Sequence, residues 1–180
     1  LAALDRRSGQ TLNPSGVGFN GGTPTIVNAG RIQGLAGSAI QGSKGGTVTN
    51  LASGDLSSLD YGVALSGEQA TVDNAGTIAG TNNRGVYLTA GGAVTNAASG
   101  TINGYGGVAV VGASGTVVNA GSIGATGNYA VRFGAGFANR LVIAPGAVFT
   151  GKVQGANTAG ATAVSTLELA SGTAAGTFAG

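Results

Sequence analysis

The stretch TVDNAGTIAGTNNRGVYLTAGG, Thr71 to Gly92, decides the fold, because the chain is largely made of copies of it. Aligned on asparagine, Thr25-Ile26-Val27-Asn28-Ala29-Gly30 and Thr47-Val48-Thr49-Asn50 come before Thr71-Val72-Asp73-Asn74-Ala75-Gly76. Val94-Thr95-Asn96 and Thr116-Val117-Val118-Asn119-Ala120-Gly121 follow it. The asparagines stand 22, 24, 22 and 23 residues apart. A period in the twenties marks a stacked-repeat architecture.

Each copy holds three apolar beats. The first is Ile26, Val48, Val72, Val94, Val117. The second is Ile32, Leu56, Ile78, Ile102, Ile123, each with glycine two residues before it. The third is an alternating pair: Val63 and Leu65, Val86 and Leu88, Val108 and Val110, Val131 and Phe133, with Ile40 and Gly42 in the earliest copy. Apolar residues alternate with polar or small ones, which is strand chemistry, and the i, i+3, i+4 spacing of helices is absent. Interior glycines would cost a helix about 1 kcal/mol each. The chain therefore reads as all-β: a right-handed parallel β-helix (β-solenoid) with three short strands per coil and about 22–24 residues per coil. Coils stack at the strand spacing of about 4.8 Å, and alternating apolar residues form inward files.

Asn28, Asn50, Asn74, Asn96 and Asn119 close the first strand of each coil. They are expected to turn inward at the corner as a structural ladder of amides. Asparagine also tolerates left-handed backbone, which such corners are expected to need.

Composition narrows the function. Only 8% of the 180 residues are charged, against the usual quarter. The 37 glycines show no G-X-Y period, which excludes collagen. Net charge is +2 without a basic cluster, so no nucleic-acid partner is expected. No apolar run is long enough to span a bilayer, so no direct membrane insertion of this segment is expected. Cysteine and histidine are both absent, which removes disulfides, thiol catalysis, zinc-thiolate sites and the usual proton shuttle.

Along the chain, residues 1–24 read as a partial N-terminal coil, with Leu12 as its second beat, a turn at Asn13-Pro14-Ser15-Gly16, and Val17 and Phe19 pointing inward. Regular repeats fill 25–136. Residues 137–180 are divergent C-terminal coils with strands at 139–143, 147–149, 152–154 and 166–169. A small-residue loop at 156–165 is expected to bulge from the stack and to be mobile. Arg31, Asp55, Thr77, Thr101 and Ser122 should face outward from the second strand, with Arg31 and Asp55 paired across adjacent coils. No signal peptide opens the chain, so it looks like a processed piece of something longer.

The VxNAGxI…GV repeats, followed by Asn139-Arg140-Leu141-Val142-Ile143-Ala144-Pro145-Gly146-Ala147-Val148-Phe149 and Ser165-Thr166-Leu167-Glu168-Leu169, resemble the passenger region of bacterial autotransporters. The resemblance covers about Thr25 to Gly176. It implies a passenger carried through the outer membrane by a C-terminal β-barrel, then displayed on the bacterial cell surface or secreted. The lack of cysteine agrees with that route.

No catalytic, metal or cofactor-binding constellation is expected, and no cofactor. The acids are Asp5, Asp55, Asp60, Glu68, Asp73 and Glu168. Of these, Asp60 and Asp73 are the pair that could meet across a corner, and glycoside hydrolysis would need carboxylates roughly 5–10 Å apart. The calcium-binding GGxGxDxUx repeat and P-loop spacing are missing. A flat threonine face of the ice-binding kind is interrupted by Asp73. The third face is the candidate interaction surface, with Tyr61, Arg84 and Tyr129 in one outward column and Tyr87 and Arg132 in the next. Exposed tyrosine and arginine suit a sugar or protein partner. The sequence thus points to a non-enzymatic, extracellular structural or adhesive β-helix, a stalk or adhesin segment. Its partners would be a cell-surface, matrix or polysaccharide ligand, or another copy stacked end to end. The alternative is a carbohydrate-active, lyase- or hydrolase-like solenoid with its active site outside this segment.

Overall fold

A computed structural model describes residues 16–172. Leu12, Asn13, Pro14, Ser15 and Asp5 lie outside the described residues. Strand β1 (Val17–Phe19) comes first, followed by β2 (Thr25–Asn28), β3 (Arg31–Gly34) and β4 (Ile40–Gly42). The next coil is β5 (Gly46–Asn50), β6 (Asp55–Ser58) and β7 (Val63–Leu65). From there the second and third strands run together. Short β8 (Ala70–Asn74) leads into long β9 (Thr77–Leu88), and β10 (Gly92–Asn96) into β11 (Thr101–Val110). Likewise β12 (Gly115–Asn119) leads into β13 (Ser122–Phe133), and β14 (Arg140–Ile143) into β15 (Val148–Gln154). The last described strand is β16 (Thr166–Leu169).

All pairings between strands are parallel, and they generate a β-solenoid of about 7 turns with about 23 residues per coil. A seven-stranded sheet runs β16-β14-β12-β10-β8-β5-β2, and a nine-stranded sheet holds the second and third strands. Three separate strands, expected in every coil, occur only in the early ones. In β9, β11 and β13 the corner between the second and third strands is a bulge, with register shifts between Gly104 and Gly106 and between Gly124 and Tyr129. Pairing lapses at the bulge and resumes beyond it, so the strand continues round the bend while its ladder is briefly broken.

The three beats become continuous inward files. Val48 pairs with Val72, Val72 with Val94, and Val94 with Val117, all essentially without solvent contact. Leu56, Ile78, Ile102 and Ile123 form the second file, and Val63, Val86, Val108 and Val131 the third. Val17 and Phe19 pack against this core, as Phe149 and Ile143 do at the other end. Burying a Val, Leu or Ile side chain contributes roughly 1.5–3 kcal/mol, so the stack is held mainly by these files. Gly42, which stands in the Leu65 file, leaves a gap that the Leu65 side chain fills: a Cβ there would meet Leu65 Cδ2 at 2.8 Å. The Gly-Val dipeptides have the same logic. A Cβ on Gly85 would collide with Ile102 Cγ2, and one on Gly107 would meet Ile123 Cγ2 at 2.6 Å.

The five asparagines are buried and joined in one direction. Each Nδ2 donates to the next coil's Oδ1: Asn28 to Asn50, Asn50 to Asn74 and Asn74 to Asn96 at 2.8 Å, and Asn96 to Asn119 at 2.9 Å. The same amides satisfy corner carbonyls, Asn74 reaching Gly76 O at 3.0 Å and Thr101 O at 3.2 Å. The series stops where Ile143 pairs with Asn119, whose Nδ2 turns to Val148 O at 3.2 Å. The expected left-handed asparagines are not found. Among the described residues Ala156 alone has positive φ without being glycine. Nor do Gly54, Gly76, Gly100 and Gly121 take positive φ. They are glycine because a Cβ has no room. At Gly54 and Gly100 it would collide with the ladder oxygens Asn50 Oδ1 and Asn96 Oδ1. At Gly76 and Gly121 it would collide first with backbone carbonyls of the longer corner, Leu51 O and Gly54 O or Ala97 O and Gly100 O, and stand 2.9 Å from Asn50 Nδ2 or Asn96 Nδ2.

Corners of two lengths account for the steps of 22 and 24, and the step of 23 combines the longer corner with a remainder one residue shorter. Asn28-Ala29-Gly30 and Asn74-Ala75-Gly76 turn directly, whereas Asn50-Leu51-Ala52-Ser53-Gly54 and Asn96-Ala97-Ala98-Ser99-Gly100 insert a turn closed by Gly54 N to Leu51 O and Gly100 N to Ala97 O. The extra serines bond the shorter corner one coil back: Ser53 Oγ donates to Ala29 O at 2.7 Å and Ser99 Oγ to Ala75 O at 2.8 Å. Registers on both sides are unaffected.

Past Phe137 the solenoid continues: Val117 pairs with Leu141 and Leu141 with Leu167. Ala144-Pro145-Gly146-Ala147 is a turn with Ala147 N bonded to Ala144 O and Gly146 at φ 83, proline and glycine occupying the positions a type II turn favours. The loop between β15 and β16 is pinned at both ends. Asn157 accepts from Gly136 N at 2.8 Å and donates to Phe137 O and Ser165 Oγ, and Ser165 Oγ donates to Gly155 O.

Asn74→Ala removes the acceptor of Asn50 and the donor of Asn96 inside the protein. It is expected to cost roughly 1–3 kcal/mol, read as a lower urea midpoint. Gly76→Ala should lose stability as well, by crowding the Leu51 and Gly54 carbonyls and Asn50 Nδ2. An unchanged midpoint in Asn74→Ala would show that the ladder carries no stability.

Candidate interaction surface

The outward side chains differ from face to face. On the first sheet Thr25, Thr47, Thr71, Ala93 and Thr116 form one column, and Val27, Thr49, Asp73, Thr95 and Val118 the next. The second strands carry Arg31, Asp55, Thr77, Thr101 and Ser122 in register. Arg31 Nε lies 3.4 Å from Asp55 Oδ2, the pair expected from adjacent coils. Both side chains remain partly in solvent, so the pair contributes about 0–1 kcal/mol. Arg140 makes a second bridge, with Nε 3.0 Å from Glu168 Oε2.

The third strands carry the aromatics. Pairing places Tyr61, Arg84, Gly106, Tyr129 and Lys152 in one outward column, joined through Gly62 N to Arg84 O, Gly106 opposite Arg84, and Tyr129 opposite Lys152. The neighbouring column is Gln41, Ala64, Tyr87, Ala109, Arg132 and Gln154. The two columns read from the alternation are therefore real columns, but Gly106 and Ala109 split them into two groups.

Tyr61, Arg84 and Tyr87 form the compact group. The two rings stack with centroids 5.3 Å apart and 13° between planes, within the range where offset stacking is favourable. The Arg84 guanidinium lies 5.0 Å from the Tyr87 centroid, a cation–π contact. Its Nη1 donates to Asn83 Oδ1 at 3.2 Å, and Asn83 Nδ2 donates to Asp60 Oδ1 at 3.1 Å. Asp60 is itself set by its N–H, which donates to Ser58 Oγ at 2.9 Å, while Ser58 Oγ donates to Gly37 O. A carboxylate, an amide, a guanidinium and two stacked phenols thus line one corner. Tyr129, Arg132 and Lys152 lie on later coils of the same face, with Arg132 and Lys152 exposed.

Three members escape the repeat pattern. Tyr105, about half exposed, sits in the β11 bulge and lays its ring over Gly127 of the next coil. Bulged residues fall outside strict alternation, so their direction is not readable from it. Lys152 precedes Val153 by one residue where Tyr129 precedes Val131 by two, and that shift hides the column. Asn83 gave no signal of its own. The meeting of Asp60 and Asp73 weighed above does not follow from this geometry: Asp60 closes the corner after β6 and is held by Asn83, while Asp73 faces outward from β8 on the other sheet. Among the described residues no three His, Cys, Asp or Glu side chains converge.

In a double-mutant cycle, Tyr61→Ala and Tyr87→Ala are expected to couple by roughly 0.5–1.5 kcal/mol, read from denaturation midpoints. Coupling of zero would mean that the rings are independent in solution. No family model matches this chain, and neither a curated protein nor a solved structure matches it.

Proposed function

We propose that this chain is a non-enzymatic structural and adhesive rod, a stalk or adhesin segment displayed outside the cell in the manner of an autotransporter passenger. The observation that carries this reading is the continuity of the parallel ladders. Seven strands of one sheet and the paired coils of the other run without interruption along the axis, over roughly 30 Å at ordinary strand spacing. A rod of this construction is stiff along its axis, since bending it must break many backbone hydrogen bonds together. Its faces are flat, low in charge and lined with Thr, Val and Ala, except for the one that concentrates tyrosine and arginine. The sequence resemblance to autotransporter passengers supports the route by which such a rod reaches the cell exterior. The carboxylates support a non-enzymatic role, because Asp55, Asp60 and Glu168 are engaged with Arg31, Asn83 and Arg140.

Displayed in full on carrier cells that lack other adhesins, the chain should raise attachment or clumping several-fold over the empty carrier. Equal attachment, with surface display verified by antibody, would refute the adhesive role. Release of reducing ends from a polysaccharide panel by the purified chain would instead favour a carbohydrate-active solenoid.

A further inference from the structure

We infer that the third face binds a linear anionic polysaccharide laid along the solenoid axis, with the Tyr61–Tyr87 pair as a stacking shelf and Arg84, Arg132 and Lys152 as its charge contacts. This assignment rests on the adhesive-rod reading and names its ligand class and its face.

Charge is distributed unevenly over the surface. Arg31 and Arg140 are matched by Asp55 and Glu168 on the other two faces. Arg84, Arg132 and Lys152 share one face, and no carboxylate stands in either of its outward columns. Asp60 and Glu68 lie at the bordering corners, and Asp60 accepts a hydrogen bond from Asn83. A ligand with repeated negative groups complements such a strip, and charge-assisted hydrogen bonds from arginine to carboxylate or sulfate are the strong ones.

Geometry favours a sugar polymer over a compact anion. Arg84 and Arg132 are two coils apart and Lys152 one further. Coils repeat at about 4.8 Å, close to the length of one pyranose in an extended chain. A polymer parallel to the axis therefore advances one sugar per coil, and an acid on every second sugar recurs at the spacing of Arg84 and Arg132. The stacked phenols present apolar surface to the C–H face of a pyranose, with Asn83 and Asp60 beside them for its hydroxyls. Tyr61, Arg84 and Tyr87 already hold one another, so little side-chain freedom is lost on binding.

The test measures binding of the purified full chain to heparin, polygalacturonate and neutral dextran, with poly-glutamate as a protein-like polyanion. Binding to heparin or polygalacturonate but not to dextran or poly-glutamate is expected. Heparin alone would identify sulfate as the recognised group, and polygalacturonate alone a carboxylate on every successive sugar. The R84Q/R132Q/K152Q variant should bind at least about tenfold more weakly. Lys44 is exposed in the turn between β4 and β5, outside both columns, so the R31Q/K44Q/R140Q variant removes the same charge from elsewhere and should retain its affinity. Tyr87→Ala should weaken binding several-fold without loss of fold, since Ala64 and Ala109 already occupy that column. Equal losses in the two triple variants, an unaffected Tyr87→Ala variant, or equal binding to dextran or poly-glutamate would overturn the assignment. Attachment of displayed cells that persists after R84Q/R132Q/K152Q abolishes polymer binding would also overturn it, and would leave the adhesive rod standing.

Discussion

A coil of this chain has no interior of its own. About two dozen residues enclose one layer of side chains, and only the coils on either side can remove that layer from water. Everything else follows from this shared burial. Strands must be parallel, because each coil repeats the path of the last. Register must hold at every step, since a slip of one residue would turn a whole strand's apolar set outward. The valine files secure this by area, but apolar contact is tolerant of small slips. The asparagines are not. A donor of Asn50 finds Oδ1 of Asn74 only when the two coils are aligned, and a misplaced amide is left buried and unpaired.

The ladder also dictates its surroundings. The amides and the carbonyls of the adjacent corner fill the space inside the first corner so fully that the residue two before the second beat must lack a side chain. The glycine after asparagine is thus a steric consequence of the packed corner rather than a device for bending the chain. Positive φ is used instead at the corner between the third strand and the next first strand, as at Gly45 and Gly92. Two corners of one coil therefore use glycine for different physical reasons. Length varies without loss of register: the serine-bearing turns after Asn50 and Asn96 add residues while the rungs beyond them stay aligned.

The inner half of the protein was legible in the sequence because the repeat is a translation along one axis. Aligning the copies is enough to assign Val48, Val72 and Val117 to one file, and the same alignment pairs Arg31 with Asp55. What translation cannot supply is conformation within a coil. Whether a corner bends sharply or passes through a bulge depends on backbone around Asn82 and Gly106, and nothing in a period of apolar beats reports it. The outer face was legible to the level of columns and no further. That Tyr87 would lean toward Tyr61 depends on the small Ala64 beneath it, which is a matter of space rather than of alternation. Asn139 was missed as a corner amide for a related reason. It receives Gly115 N and donates to Gly134 O and Phe137 O at a position where the preceding copies have Gly92 and Gly115.

Stacking also limits what the outside can be. Rungs about 4.8 Å apart are closer together than the length of a phenol ring, so a column cannot hold a large aromatic at every level with all rings lying flat. The third face obeys this limit. Tyr87 stands between Ala64 and Ala109, Arg84 is followed by Gly106, and the ring of Tyr105 is laid over Gly127. The interior keeps Val and Ile at nearly every level, because there each side chain needs its like above and below. The outward columns are free of that demand, and most have settled on Thr, Val and Ala. Large aromatic and cationic side chains interleaved with the small residues that admit them add little to the stack itself. Their concentration on one face is therefore what separates a surface able to take a partner from the two other sides.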